Sequence, residues 1–259
     1  MATTTLSNTL SALTAKALLG QLTWRWPIAA LFYRLVGFAA FQFLIAGILA
    51  VAGNAQPWAA SAAWWPITAA LTSLAGLFFL IWLFRREGAR FFDLYRFERQ
   101  SWRTDALLTL GVLVLSGPVS YLPGPLVGNW LWGDVALAYN LFFSPLPLWA
   151  LIISLVAFPL LIALTELPTY FGYIMPRLEA LTGNRWLAVL VPVLLLAAQH
   201  ATLPLILDWR FMLGRALMVL PFALLVGGVL SWRPRLLPYF LIAHGLMDLM
   251  TVVMLFTVN

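Results

Sequence analysis

Apolar runs of about twenty residues, separated by short clusters of Arg, Pro, Gly and Asn, recur along the chain. A run of roughly 20 apolar residues at a helical rise of about 1.5 Å matches the hydrocarbon thickness of a bilayer. The runs predict seven spans, near Pro27–Gly53, Trp64–Phe84, Ala106–Leu122, Pro147–Tyr170, Trp186–Leu205, Phe211–Trp232 and Pro238–Val258. The expected fold class is all-α, a polytopic transmembrane helical bundle of about seven spans (six to eight by length). Residues 1–26 read as an N-terminal cytoplasmic or interfacial segment, and residues 27–259 as a single transmembrane helical domain without repeats. Met1 to Leu22 is rich in Thr and Ser and lacks the basic start, short apolar stretch and cleavage site of a secretory signal. The first span is therefore expected to direct membrane insertion.

Composition strengthens this picture. Apolar residues make up 63% of the 259 and charged residues 9%, against about a quarter charged in soluble domains. Cysteine is absent, which excludes disulfides and thiolate metal sites. The net charge of +6 raises the question of nucleic acid, but its distribution points elsewhere. Six of the fourteen Arg lie between Arg85 and Arg103, in one loop between two spans. With that loop inside, twelve loop cations (Lys16 and eleven Arg) fall inside and only Arg210 outside. The N-terminus is therefore expected in the cytoplasm and Asn259 outside. The same segment mixes Arg with aromatic residues, as a surface helix among anionic head groups would. This distribution points to membrane lipid as a partner and not to nucleic acid. Most of the thirteen Trp, among them Trp24, Trp26, Trp64, Trp65, Trp130 and Trp132, fall near span ends and read as interfacial belts.

Candidate chemistry sits where polar residues are least expected. Seven of the nine acids fall in loops or at span ends; Glu166 and Asp248 do not, and both histidines, His200 and His244, also lie inside spans. An ionisable group at mid-membrane costs a few kcal/mol, so such groups face a protein-lined cavity and find partners there. His244 and Asp248, four residues apart, share one helix face, a spacing suited to a metal or to a carboxylate-oriented imidazole. Convergence of the fourth, fifth and seventh spans would join them to Glu166 and His200. The plainer alternatives are a Glu166 paired with Arg215 or a backbone amide, a His200 bonded to a carbonyl, and a His244–Asp248 clamp between helices. Arg34 and Arg215 read as snorkelling or pairing residues. Pro168 and Pro176 bracket Gly172 and suggest a helix break beside Glu166.

Three stretches carry a family likeness. Glu166-Leu-Pro-Thr-Tyr-Phe-Gly-Tyr-Ile-Met-Pro-Arg-Leu178 resembles the first motif of the CAAX-protease and bacteriocin-processing (CPBP) family of intramembrane proteases, Glu-Glu-x-x-x-Arg-Gly, often followed by Tyr, two apolar residues, Pro, Arg and Leu. Leu196-Ala-Ala-Gln-His200 resembles its second motif, and His244-Gly-Leu-Met-Asp248 its third, His-x-x-x-Asn/Asp. The motifs occur in the family's order within residues 145–259, the CPBP-like core. Leu167 stands where the family has its second Glu, Phe171 where it has Arg, and Leu196 where it has an aromatic. The resemblance implies a hydrolase, an intramembrane metalloprotease acting on membrane-associated or lipidated peptides. In it Glu166 and His200 are catalytic, and His200, His244 and Asp248 hold a divalent metal such as zinc. A possible pseudoenzyme follows from the altered first motif: a binding or assembly subunit with the same fold. A third expectation, from the histidines alone, is a haem or pigment ligand. The expected location is a bacterial inner (plasma) membrane.

Overall fold

The computed structural model describes residues 8–258, so the first seven residues of the expected N-terminal segment and Asn259 lie outside it. Twelve α-helices occur among the described residues. They are α1 (Leu10–Leu18), α2 (Arg25–Val51), α3 (Pro57–Ala62), α4 (Trp65–Arg86), α5 (Trp102–Tyr121) and α6 (Pro123–Trp132), then α7 (Val135–Phe142), α8 (Leu148–Ala163), α9 (Met175–Thr182), α10 (Arg185–Gln199), α11 (Trp209–Trp232) and α12 (Leu237–Leu255). Seven stretches are long and apolar enough to cross a membrane: Arg25–Val51, Trp65–Arg86, Trp102–Trp132, Leu148–Thr182, Arg185–Thr202, Trp209–Trp232 and Pro234–Leu255. The protein is an all-α bundle of seven such spans. Large side chains such as Val36, Phe43, Phe78 and Val114 are exposed on its flanks, as lipid-facing residues are.

Two spans differ from the apolar runs that announce them. The third is interrupted at Leu122, in a stretch where Pro118, Pro123 and Pro125 remove backbone donors, so that it divides into α5 and α6. The fourth does not stop near Tyr170 but continues to Thr182, through a π-helical stretch at Pro168–Ile174. The expected break beside Glu166 is thus a widened turn. Pro168 has no N–H to offer the Leu164 carbonyl, and the Tyr95 hydroxyl donates to that carbonyl instead at 2.7 Å. Burial pushes the Tyr95 phenol up, which keeps it protonated for this task. Pro176 likewise frees the Gly172 carbonyl, with Asn8 Nδ2 3.5 Å away. A Cβ at Gly172 would press on Leu94 and Leu237 at 2.9 and 3.3 Å, so this turn is tightly enclosed.

The segment Arg85–Arg103 is not the surface helix expected of it. A short 3-10 turn at Phe91–Tyr95 buries Phe91 under the bundle, and α5 begins at Trp102. Two acids read as loop residues are interior partners: Glu87 for Arg177, and the fully buried Asp105 for Arg235 at 3.0 Å. Trp65 is also no belt residue, being 2% exposed, with its indole N–H donating to the Phe142 carbonyl at 3.1 Å.

Close helix approach depends on single glycines. A Cβ at Gly227 of α11 would collide with Val193 of α10 and press on Phe171 at 3.1 Å, whereas Gly228 faces open space. Gly227→Leu is expected to lose roughly 1–3 kcal/mol by overpacking. Gly228→Leu should be neutral or gain up to about 1 kcal/mol of helix propensity. Unfolding in mixed detergent–SDS micelles measures both; equal effects would refute the helix contact.

Candidate functional site

Glu166 lies at the junction of α8 and the π-helical stretch, 4% exposed. Its two carboxylate oxygens have different surroundings. Oε2 accepts from Arg34 Nη2 of α2 at 3.0 Å and from Gln199 Nε2 of α10 at 2.8 Å. Oε1 lies 3.1 Å from His244 Nε2 of α12. The same His244 nitrogen is 3.5 Å from Asp248 Oδ2, one turn along the helix.

Arg34 is fully buried and almost completely engaged. Its Nε donates to Gln199 Oε1 at 2.7 Å, and its Nη1 to Ser73 Oγ at 3.2 Å and Thr165 Oγ1 at 3.1 Å. Tyr170 donates its hydroxyl to Gln199 Oε1 at 3.1 Å. Gln199 therefore bridges cation and anion, accepting from one and donating to the other. A fork of five donors on a planar group makes such a network possible. The plainer alternative pairs Glu166 with Arg215 or a backbone amide; the structure puts Arg34 there, and Arg215 pairs with no carboxylate among the described residues. Of the two readings of Arg34, snorkelling or pairing, the structure shows pairing.

His200, at the end of α10, has Nδ1 2.8 Å from the Leu196 carbonyl. That contact makes Nδ1 the N–H donor and leaves the Nε2 lone pair free. Glu166, His200, His244, Asp248 and Arg215 all line one cavity of about 600 Å³. Residues at the junction of α5 and α6 (Ser120, Tyr121, Gly124 and Pro125) and the aromatic residues Trp65, Tyr139 and Phe142 complete its wall. The four residues singled out as ionisable groups within apolar runs thus line a common space. Within it, Glu166, His244 and Asp248 are near neighbours, and His200 touches none of them directly among the contacts described.

No protein-family model, curated protein or solved structure matches the sequence.

What the arrangement can do follows from its unsatisfied atoms. Both His244 ring nitrogens and Asp248 Oδ2 are buried without an aligned hydrogen bond, despite the short distance to Glu166. Buried polar atoms are costly unpaired, and these three carry the hydrogen-bonding capacity that the side chains around Glu166 leave unused. The nitrogen and oxygen donors suit zinc in kind. In their present spacing, however, no three of His, Cys, Asp and Glu among the described residues form a group fit to hold a metal ion. Sequence reasoning missed Gln199, Tyr170 and Ser73. Gln199 was hidden in plain sight, one residue before His200, because an uncharged amide carries no intramembrane penalty large enough to stand out.

Proposed function

We propose that the protein is an intramembrane peptidase of the CPBP type that hydrolyses membrane-associated or lipidated polypeptides at this cavity. The observation that carries the reading is the asymmetry of Glu166: Oε2 is fixed by Arg34 and Gln199, while Oε1 faces His244 and the cavity. A carboxylate held by one oxygen is oriented and keeps its other oxygen available as a proton acceptor. Arg34 supplies from α2 the cationic partner that Phe171 fails to supply within the first motif.

In the proposed reaction a water lies between Glu166 Oε1 and the Nε2 lone pair of His200. Glu166 takes one proton as the water oxygen bonds to the substrate carbonyl carbon. The negative charge that develops on the carbonyl oxygen is met by an N–H of His244, whose ring Asp248 orients. Collapse of this tetrahedral species breaks the C–N bond. The proton held by Glu166 passes to the leaving nitrogen, giving a carboxylic acid and an amine. Each step uses side chains alone. Entry from the bilayer and a bacterial inner membrane with a cytoplasmic N-terminus belong to the same proposal.

Cells producing equal amounts of the wild-type and Glu166→Gln proteins test it through mass-spectrometric counting of peptide termini in their membranes. At least one terminus should fall by roughly 100-fold or more in the variant, the usual worth of a general base. If every terminus persists unchanged, the hydrolytic reading is wrong. The competing reading, a binding or assembly subunit, draws on Leu167 and Phe171, which replace the Glu and Arg of the first motif. It predicts that Glu166→Ala leaves complexes with membrane proteins intact and changes no terminus.

A further inference from the structure

Arg215 is the charged cavity residue that the reaction above leaves without a task. Its Nε is buried without a hydrogen-bond partner, and its Nη2 reaches only the Leu203 carbonyl at 3.5 Å. The guanidinium lies over the Phe142 ring at 4.0 Å, which steadies the plane without neutralising the charge. The other two enclosed arginines show the contrast: Arg34 is paired with Glu166, and Arg177 with Glu87. For Arg215 no described carboxylate plays that part, since Asp208, at the start of the same helix, is engaged in capping Arg210 and Phe211. An unneutralised cation inside a membrane-spanning bundle is costly, and such residues commonly mark the path of a substrate or ion.

We propose that Arg215 is an anion-recognition residue for the polypeptide substrate, binding a carboxylate close to the scissile bond. Nε and Nη2 form one edge of the guanidinium, whose only hydrogen bond among the described residues is the long one from Nη2 to Leu203, and such an edge takes both oxygens of a carboxylate side by side. Arg215 and Glu166 line the same cavity of about 600 Å³. A space of that size is spanned by a few extended residues, so the recognised carboxylate and the hydrolysed bond are near in sequence. Position favours a peptide over a lipid phosphate. Arg215 is six residues inside α11 from Trp209, about 9 Å below the helix start at 1.5 Å per residue. The carboxylate belongs either to an Asp or Glu side group or to the C-terminus of the substrate; both present the same two oxygens. The inference rests on the peptidase reading of the cavity.

The test measures binding, not turnover, on the full-length protein in lipid nanodiscs. Three dansyl-labelled peptides share one apolar sequence rich in α-aminoisobutyrate, which resists hydrolysis. One ends in a free carboxylate, one is a neutral C-terminal amide, and one is an amide carrying a single internal Glu. At least one acidic peptide should bind about tenfold or more tightly than the neutral one, as a charge-assisted bidentate contact warrants. Whichever acidic peptide gains identifies the source of the carboxylate. Arg215→Gln should erase the preference and Arg215→Lys should keep only part of it, because an ammonium cannot present the paired edge. Equal or absent binding of all three peptides to the wild type overturns the inference. So does a preference that persists in Arg215→Gln, or displacement of acidic and neutral peptides alike by dihexanoyl phosphatidic acid. If Arg215→Gln does not fold, Arg215→Lys decides, and an unchanged preference refutes the role. A protein that shows the preference yet cleaves nothing in cells loses the peptidase reading and keeps the anion site.

Discussion

Replacing Arg34 by Met should destabilise the bundle by roughly 3–5 kcal/mol, the usual cost of removing one partner of a buried ion pair. The loss is expected to be this large because the guanidinium serves Glu166, Gln199, Ser73 and Thr165 at once. Without it, the Glu166 carboxylate, 4% exposed, keeps only the Gln199 amide on Oε2. Glu166→Gln removes the opposing charge but not the shape, and in the double variant the two costs should not add. Neighbours in one network couple by about 0.5–3 kcal/mol, so Arg34→Met/Glu166→Gln should be less impaired than the sum of the singles. Equilibrium unfolding in mixed micelles gives all three values. A single Arg34→Met variant within about 0.5 kcal/mol of wild type would show that the network contributes little.

How far the sequence reaches is clearest at this network. The spans are legible because lipid demands an apolar run of fixed length, and only the divided third and the prolonged fourth escape, each through proline. Glu166, His200, His244 and Asp248 are legible for the same energetic reason: an ionisable residue in an apolar run has to be accounted for. The rule flags Arg34 and Arg215 equally well but cannot assign partners, since which helix faces which is a property of packing. Gly37 against Thr72 and Gly76 against Tyr33 bring α2 onto α4. With Arg34 in contact with Ser73 on that helix, its fork can reach across to Thr165, Glu166 and Gln199. Nothing in the linear pattern says so. Gln199 and Tyr170 are illegible for a further reason, since their value lies in geometry and not in charge. The cavity wall from α6 includes Trp132, which the sequence alone places in an interfacial belt.

The opposite end of the fourth span bears on which parts of the first motif matter chemically. Arg177 is completely buried; its Nε and Nη2 bond to Glu87 Oε2 at 2.9 and 2.6 Å, and its Nη1 to Asn8 Oδ1 and the Tyr173 carbonyl at 3.0 Å each. The guanidinium stacks over Tyr173 at 3.8 Å. Glu87 also accepts from the Tyr173 hydroxyl at 2.7 Å, and its carbonyl takes the Lys16 ammonium. Arg177 thereby joins the end of α4, the start of α9 and the segment leading into α1. It is eleven residues beyond Glu166, about 16 Å along a helix axis, outside the cavity. The Pro176-Arg177-Leu178 part of the likeness is therefore a structural tie. Arg177→Met should lose roughly 3–5 kcal/mol and loosen α1, whose Leu13 is buried. Limited proteolysis should then cut near Leu18 and Leu19 several times faster than in wild type. Peptide binding at the cavity, measured below the unfolding transition, should stay within about twofold, since sites this far apart without shared partners are close to independent. Unaltered proteolysis would show that α1 is held without Arg177, and a collapse of cavity binding would mean that the two ends of the span act as one unit.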